Sequence, residues 1–290
     1  MDTALLLFSI GLGVGSIYGL GGLIFVIVFN STRVMNLATG EYVMVGGVLA
    51  HFLMIKAELA WFWTVPLIAG AVVVLSIALN MSVVFPLLEK KLGLITIIIA
   101  TYAGATVISG TAGALTNFEF LRVPSLVGVA SIKIGFFPVV PQYGLCFLFT
   151  VVVVLAYWLF LTRTRFGWAL KASSENPEMC KLLGISTFWM STVAFTIAGG
   201  IGGVAGLLLG PMQGVSAAMG FHITVNAFIS AVLGGMGNPY AAVVGGLLLG
   251  LVQVFISGYL APGYAQLASF VLLLLILYIR PQGLFGARGA

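Results

Sequence analysis

Among the residues of this chain able to do chemistry, Glu41 stands out by its setting. It lies in "RVMNLATGEYVMVGG", residues 33–47, between long runs of Leu, Ile, Val and Phe. Asn36 and Thr39 beside it are good helix-capping types, and Gly40 weakens helical continuity. A carboxylate in the first turns of a helix is favoured by the helix dipole. The pattern predicts a second apolar span broken around Asn36–Gly40, with its unwound backbone buried in protein or lining a cavity, the two settings lipid depth tolerates. Two roles for Glu41 fit. It either borders a transport path, as in transporters with discontinuous helices, or hydrogen-bonds freed backbone groups and a neighbouring helix. The second role predicts that Glu41 fixes the broken segment without touching cargo.

Other reactive side chains form no constellation. His51 and His222 are isolated. No Ser-His-Asp set, metal-ligand cluster or G-x-S-x-G elbow is present, which argues against an enzyme and against a resident metal or cofactor. No series of carboxylates or histidines marks a proton relay. Cys146 falls in an apolar run and Cys180 in a polar one, so no disulfide framework follows. There is no G-x-x-x-x-G-K-[ST] phosphate loop, so any ATP and magnesium would be used by another subunit.

The longest polar stretch, "TRTRFGWALKASSENPEMCKLLGIST", residues 162–187, contains two legible short helices. One covers about Phe166 to Ala172. The other has Asn176 as N-cap, Pro177 at its first position, Glu178 in its first turn and Gly184 as its stop. With Glu175 between them, this capped hairpin is either a solvated loop with interfacial helices or a docking element for a cytoplasmic partner.

These residues must be positioned by membrane spans. Hydrophobic residues make up 61% of the 290 and charged ones 7%, against about 25% charged in ordinary soluble proteins. Apolar runs long enough to cross a bilayer fall near 4–29, 34–55, 61–86, 93–116, 136–162, 188–209, 240–260 and 262–280. A shorter run, 222–236, is tilted, re-entrant or half of a broken helix. The N-terminal run has no basic leader and is read as the first span. The expected fold is an all-α polytopic bundle of about eight to nine spans, one transmembrane domain over 1–290, with 163–187 as a cytoplasmic loop within it.

The formal charge of +5 resides at span ends, which points to the membrane surface and not to nucleic acid. With 163–187 inside, Arg33, Lys90, Lys91, Arg163, Arg165, Lys171 and Lys181 are inside, and Lys56, Arg122 and Lys133 outside. Arg280 and Arg288 join the inside set if 222–236 counts as a crossing. Glycines number 38, many four residues apart (Gly11, Gly15, Gly19; Gly246, Gly250), as expected where helices pack closely in lipid. A second polar–apolar pattern runs from Gly220 to Gly250, with His222 and Asn226 near its start and Gly234 to Pro239 read as a break like that at Asn36. Two interrupted segments in two halves suggest an inverted repeat.

Three segments carry a resemblance to the permeases of bacterial branched-chain amino-acid ABC importers, closer to the LivH type than to its LivM-type homologue. "MNLATGEYVMVGG" is similar to the family's M-N-F-A-x-G-E-x-x-M-x-G, "FGWALKASSENPEMCKLLGIST" to its coupling loop, and "AFISAVLGGMGNPYAAVVGGLLLG" to its glycine-rich segment. The ending "YIRPQGLFG" is also similar. Leu37 stands where Phe is usual, Thr39 where His is common, Asn226 where many relatives have Lys, and "ASSEN" where other ABC permeases carry E-A-A. The resemblance implies a permease subunit in the bacterial inner membrane. Its implied partners are a second, LivM-type permease, two cytoplasmic ATPases that hydrolyse ATP with magnesium, an extracytoplasmic binding protein and membrane lipid. Relatives of this type also carry other amino acids, urea or amides, or small carboxylates. An ion-coupled transporter would need more ionisable groups than Glu41 in the spans, and a passive channel would not call for a capped cytoplasmic hairpin.

Overall fold

The computed structural model describes residues 2–286 apart from 129, 131, 135 and 136; Arg288 lies outside the described residues. The chain forms α1 (Asp2–Thr32), α2 (Thr39–His51), α3 (Trp61–Leu79), α4 (Phe85–Glu89), α5 (Leu94–Thr116), the strands β1 (Ile132–Ile134) and β2 (Phe137–Val139), then α6 (Pro141–Arg163), α7 (Arg165–Glu175), α8 (Pro177–Leu182), α9 (Thr187–Gln213), α10 (Met219–Gly234), α11 (Pro239–Tyr259) and α12 (Gly263–Ile279). A π-helical turn, Phe52–Lys56, extends α2, and another, Asn80–Val84, joins α3 to α4. Among the described residues, six helical stretches are long and apolar enough to cross a bilayer, α3 to α4 counting as one, and α10 and α12 are shorter apolar helices. The protein is a multi-pass membrane helix bundle. The strands form a small antiparallel hairpin with Ile132 opposite Val139, so the span expected from 136 begins at Pro141.

Contacts at the two ends of the bundle order the helices. At one end the Arg33 guanidinium donates to the Ser174 carbonyl, and Asn30 Nδ2 donates to the Gly237 carbonyl at 2.8 Å. Phe85 and Phe188 meet there with ring centroids 4.6 Å apart. The Leu284 and Phe285 amides donate to the Leu233 and Gly234 carbonyls at 2.8 and 3.0 Å. Residues 280–286 therefore share the basic face with α7 and α8. At the opposite end His51 Nδ1 lies 2.7 Å from the Arg122 carbonyl oxygen, and Leu121 pairs with Val215. The ambiguous stretch resolves as α10, whose 16 residues span about 24 Å. It reaches the basic face from inside the bundle, and the irregular segment 214–218 leads into it from the other end.

α1 is the central post, with Ile17, Leu20, Leu23 and Ile24 fully buried. Lipid supplies no hydrophobic force between helices, so close backbone approach must hold them. The four-residue glycine spacing provides it. Gly11, Gly15 and Gly19 of α1 face Leu251, Leu247 and Val243 of α11, and a Cβ on Gly15 would fall 2.8 Å from the Leu247 backbone. From α11, Gly246 and Gly250 press on Gly19 and Gly15.

Two helix triplets form the core. α1 lies along α11 and α3 along α9, while α10 packs on α1 as α2 packs on α9. α1 ends on the basic face and α9 starts there, so the triplets α1–α2–α3 and α9–α10–α11 run in opposite senses. The second break is not at Gly234–Pro239, where the sequence pattern placed it. That stretch is a tight turn at the basic face, with Asn238 capping α11 by accepting from the Tyr240 and Ala241 amides at 3.1 and 3.3 Å. Its glycines turn the chain, with Gly235 and Gly237 at φ 122° and 108°. The counterpart of 33–38 is 214–218, and the two helices that follow open alike: Ala38-Thr39-Gly40 and Ala218-Met219-Gly220.

Candidate functional site

The N-termini of α2 and α10 meet inside the bundle, and Gly40 rests on Gly220. A Cβ on Gly40 would collide with the Gly220 carbonyl and the Thr224 amide. Two half-helices that start in the interior leave N–H groups with no intrahelical partner, and at this depth water does not satisfy them. Thr224 of α10 solves this for α2. Its Oγ1 accepts from the Gly40 amide at 2.9 Å, and its hydroxyl lies 3.2 Å from the Leu37 carbonyl and 3.1 Å from that of Gly220. From α5, Thr101 Oγ1 accepts from the Leu37 amide at 3.3 Å.

Asn36 and Thr39 do not cap α2. Ala38 holds the N-cap position without a side-chain bond. Asn36 Oδ1 accepts from the Ala38 amide at 3.0 Å, and the Thr39 hydroxyl donates to the Asn36 carbonyl at 2.9 Å. They brace the unwound segment from within. Asn36 Nδ2 also donates to the fully buried Tyr42 hydroxyl at 3.2 Å. The break expected at Asn36–Gly40 thus lies at 33–38, and α2 is helical from Thr39 onward.

Glu41 is 3% exposed, in the first turn of α2. A Cβ on Gly220 would run into its carboxylate, so the group also abuts the first turn of α10. Two helix N-termini converge on one carboxylate, and both dipoles favour negative charge there. Its Oε2 is buried with no hydrogen-bond partner, so this oxygen does not make the hydrogen bond to freed backbone groups that the sequence suggested.

The structure brings Asn36, Thr39, Gly40 and Glu41 together and separates the two candidates on α10. Asn226 is buried on the far side of that helix, where its Oδ1 accepts from Gln253 Nε2 at 3.1 Å, and Gln253 bonds Ser269. It ties α10 to α11 and α12. His222 is exposed beside Phe221, itself 52% exposed. Phe221 meets Tyr102 of α5 edge to face at 6.1 Å. An exposed imidazole at interior depth is costly to leave against lipid tails.

On the basic face, α7 and α8 build the expected hairpin. α7 reaches Glu175, beyond the predicted end at Ala172, and is capped by Thr164, whose Oγ1 accepts from the Gly167 amide at 2.9 Å. α8 starts at Pro177 with Glu178 in its first turn. Asn176 Oδ1 accepts from the Met179 amide at 3.0 Å, and Gly184 has φ 77°, as a helix stop requires. Phe166, Trp168, Met179, Leu182 and Leu183 are exposed here.

Residues 7–279 match the family model described as "Branched-chain amino acid transport system / permease component". The chain belongs to this permease family. It is similar to the high-affinity branched-chain amino acid transport system permease protein LivH of Escherichia coli strain K12, with 29% identity over 95% of this chain and 93% of that one. To LivM of the same organism it is 32% identical over 50% of this chain and 35% of that one. In fold it is similar to PsaBC from Streptococcus pneumoniae, solved in complex with Fab, with TM-score 0.50, 13% identity, and 98% and 92% of the two chains covered. The resemblance read from three segments therefore holds along the chain.

Thr224, Thr101 and Gln253 went unnoticed in the sequence, and Gly220 was read only as the start of the second polar–apolar stretch. The pair Ala38-x-Gly40 and Ala218-x-Gly220 is the one signal that points to Gly220 and, a turn later, to Thr224.

Proposed function

We propose that this protein is the membrane permease of an ATP-driven importer in the cytoplasmic membrane, moving branched-chain or related amino acids handed over by an extracytoplasmic binding protein. It works beside a second, homologous permease, and two cytoplasmic ATPases supply the energy. The observation that carries the reading is the capped α7–α8 hairpin. It leaves Phe166, Trp168, Met179, Leu182 and Leu183 exposed on the basic face. Contiguous exposed apolar side chains mark a protein-docking surface. The hairpin is joined to the broken-helix core by the bond from Arg33 to the Ser174 carbonyl, so a push on α7 reaches the segment 33–38 directly. Names of relatives support the cargo class, and LivH with LivM supports the permease pair.

In this mechanism ATP binding draws the hairpins of the two permeases together and switches which side the path faces. The path runs along the surface of Tyr102, Phe221 and His222, where α5 and the start of α10 are uncovered. Thr224, Asn36 and Thr39 hold the break from which the half-helices start. The test is docking by the cognate ATPase. Leu182→Asp with Leu183→Asp should abolish co-purification of the ATPase while the permease still inserts, and Gly184→Val should weaken it. Normal ATPase binding by both variants places the dock elsewhere.

A further inference from the structure

A cavity of about 600 Å³ opens on the basic face between the end of α1, the end of α6, the inner side of α7 and the α10–α11 turn. Its polar wall includes Asn30, Arg33, Lys171 and Asn238, with Glu175 the acidic side chain facing it. Ser31, on the same wall, has a buried Oγ with no hydrogen-bond partner. The positive end of the α11 dipole also points here. Two basic side chains and a helix N-terminus against one carboxylate suit a single anionic group.

Two apolar grooves along α6 border the cavity. The first, about 370 Å³, is walled by Val154, Leu155, Trp158 and Tyr240, and shares Trp158 and Tyr240 with the polar chamber. The second, about 340 Å³, runs between α6 and α9 past Val153, Phe160 and Ile197, and shares Tyr157. Val153 lies ten residues before the end of α6, so the grooves descend about 15 Å towards the bilayer centre. A soluble anion would use the chamber and leave both grooves empty. A molecule with one anionic head and two hydrocarbon tails uses all three.

We propose that this cavity binds one anionic phospholipid, its headgroup phosphate between Arg33 and Lys171 and its acyl chains in the two grooves beside α6. Basic pockets between transmembrane helices on the cytoplasmic side are suited to such headgroups. Leu170, Lys171 and Ser174 of α7 form one wall, so the bound lipid also seats α7 against α1. That consequence for coupling rests on the reading of α7–α8 as the ATPase dock; the binding itself does not.

The test is lipid retention by the purified permease, read by native mass spectrometry after incubation in mixed phosphatidylglycerol and phosphatidylethanolamine. The expected result is one phosphatidylglycerol retained per chain in preference to phosphatidylethanolamine. Lys171→Gln and Arg33→Gln should each lower retention about fivefold, and Trp158→Ala should lower it by spoiling a groove. Lys90→Gln, a charge removed elsewhere on the same face, should leave it unchanged. Lys171 is exposed on α7, so its variant keeps the test sound if Arg33→Gln folds poorly. Equal retention of the two lipids by the wild type overturns the site. So does unchanged retention in Lys171→Gln, or full displacement of the lipid by soluble glycerol phosphate.

Discussion

The starts of α2 and α10 are two versions of one device. Each is a short helix that begins inside the bundle after an irregular lead-in, each has alanine at its N-cap, and each has glycine as its second residue. They differ at the next position. After Gly40 comes Glu41, 3% exposed and pressed towards Gly220; after Gly220 comes Phe221, 52% exposed on the surface. The first copy is packed against α9, α10, α3 and α5, whereas the second leaves Phe221 and His222 exposed. One sequence pattern thus supplies a fixed anchor in one half and an uncovered face in the other. The difference follows from what covers each helix and not from its own composition.

Glycine substitutions test that asymmetry most strongly. Gly40→Ala places a Cβ against the Gly220 carbonyl and the Thr224 amide, and backbone cannot step aside. The expected outcome is little or no folded protein, measured as the monodisperse fraction after detergent extraction. In Gly220→Ala the atoms nearest the new Cβ belong to the Glu41 side chain, which can rotate, so a cost of about 1–3 kcal/mol is expected. In that background Glu41→Ala should cost less than in the wild type, because the carboxylate it removes is the obstacle. Equal loss from the two glycine variants would break the comparison.

Thr224→Val removes the bond to the Gly40 amide while keeping side-chain volume. It should lower stability by about 1 kcal/mol, as loss of a helix cap does, and Thr224→Ser should restore most of it; thermal melts in detergent decide. The smallest effect is expected from Glu41→Gln. It retains shape, and uptake should stay near the wild-type level, whereas Glu41→Ala should lose uptake of every substrate alike. A Gln variant that folds normally but changes substrate preference would place Glu41 on the path.

The break before α2 was legible because Asn, Thr, Gly and Glu interrupt an otherwise apolar run, and nothing local favours a continuous helix there. The α7–α8 hairpin was legible because Asn176, Pro177 and Gly184 signal through their own backbone positions. What stabilises the break was not legible, since Thr224 lies 184 residues from Gly40. Gly234–Pro239 was misplaced because glycine, asparagine and proline serve a surface turn and a buried break equally well. Depth distinguishes them, and depth is set by packing. The strand Phe137–Val139 was absorbed into the span read from 136, because a short apolar strand beside Pro141 has no alternation long enough to register.

We propose that this permease moves its cargo by borrowed ATP energy through the hairpin 165–184. This is tested most directly by uptake of radiolabelled leucine into proteoliposomes holding the permease, its homologous partner and the ATPases, with binding protein added outside and ATP inside. The account predicts uptake that requires both ATP and binding protein, and that falls to background with Leu182→Asp and Leu183→Asp. Uptake driven by an ion gradient without ATP, or unchanged by those substitutions, would contradict it.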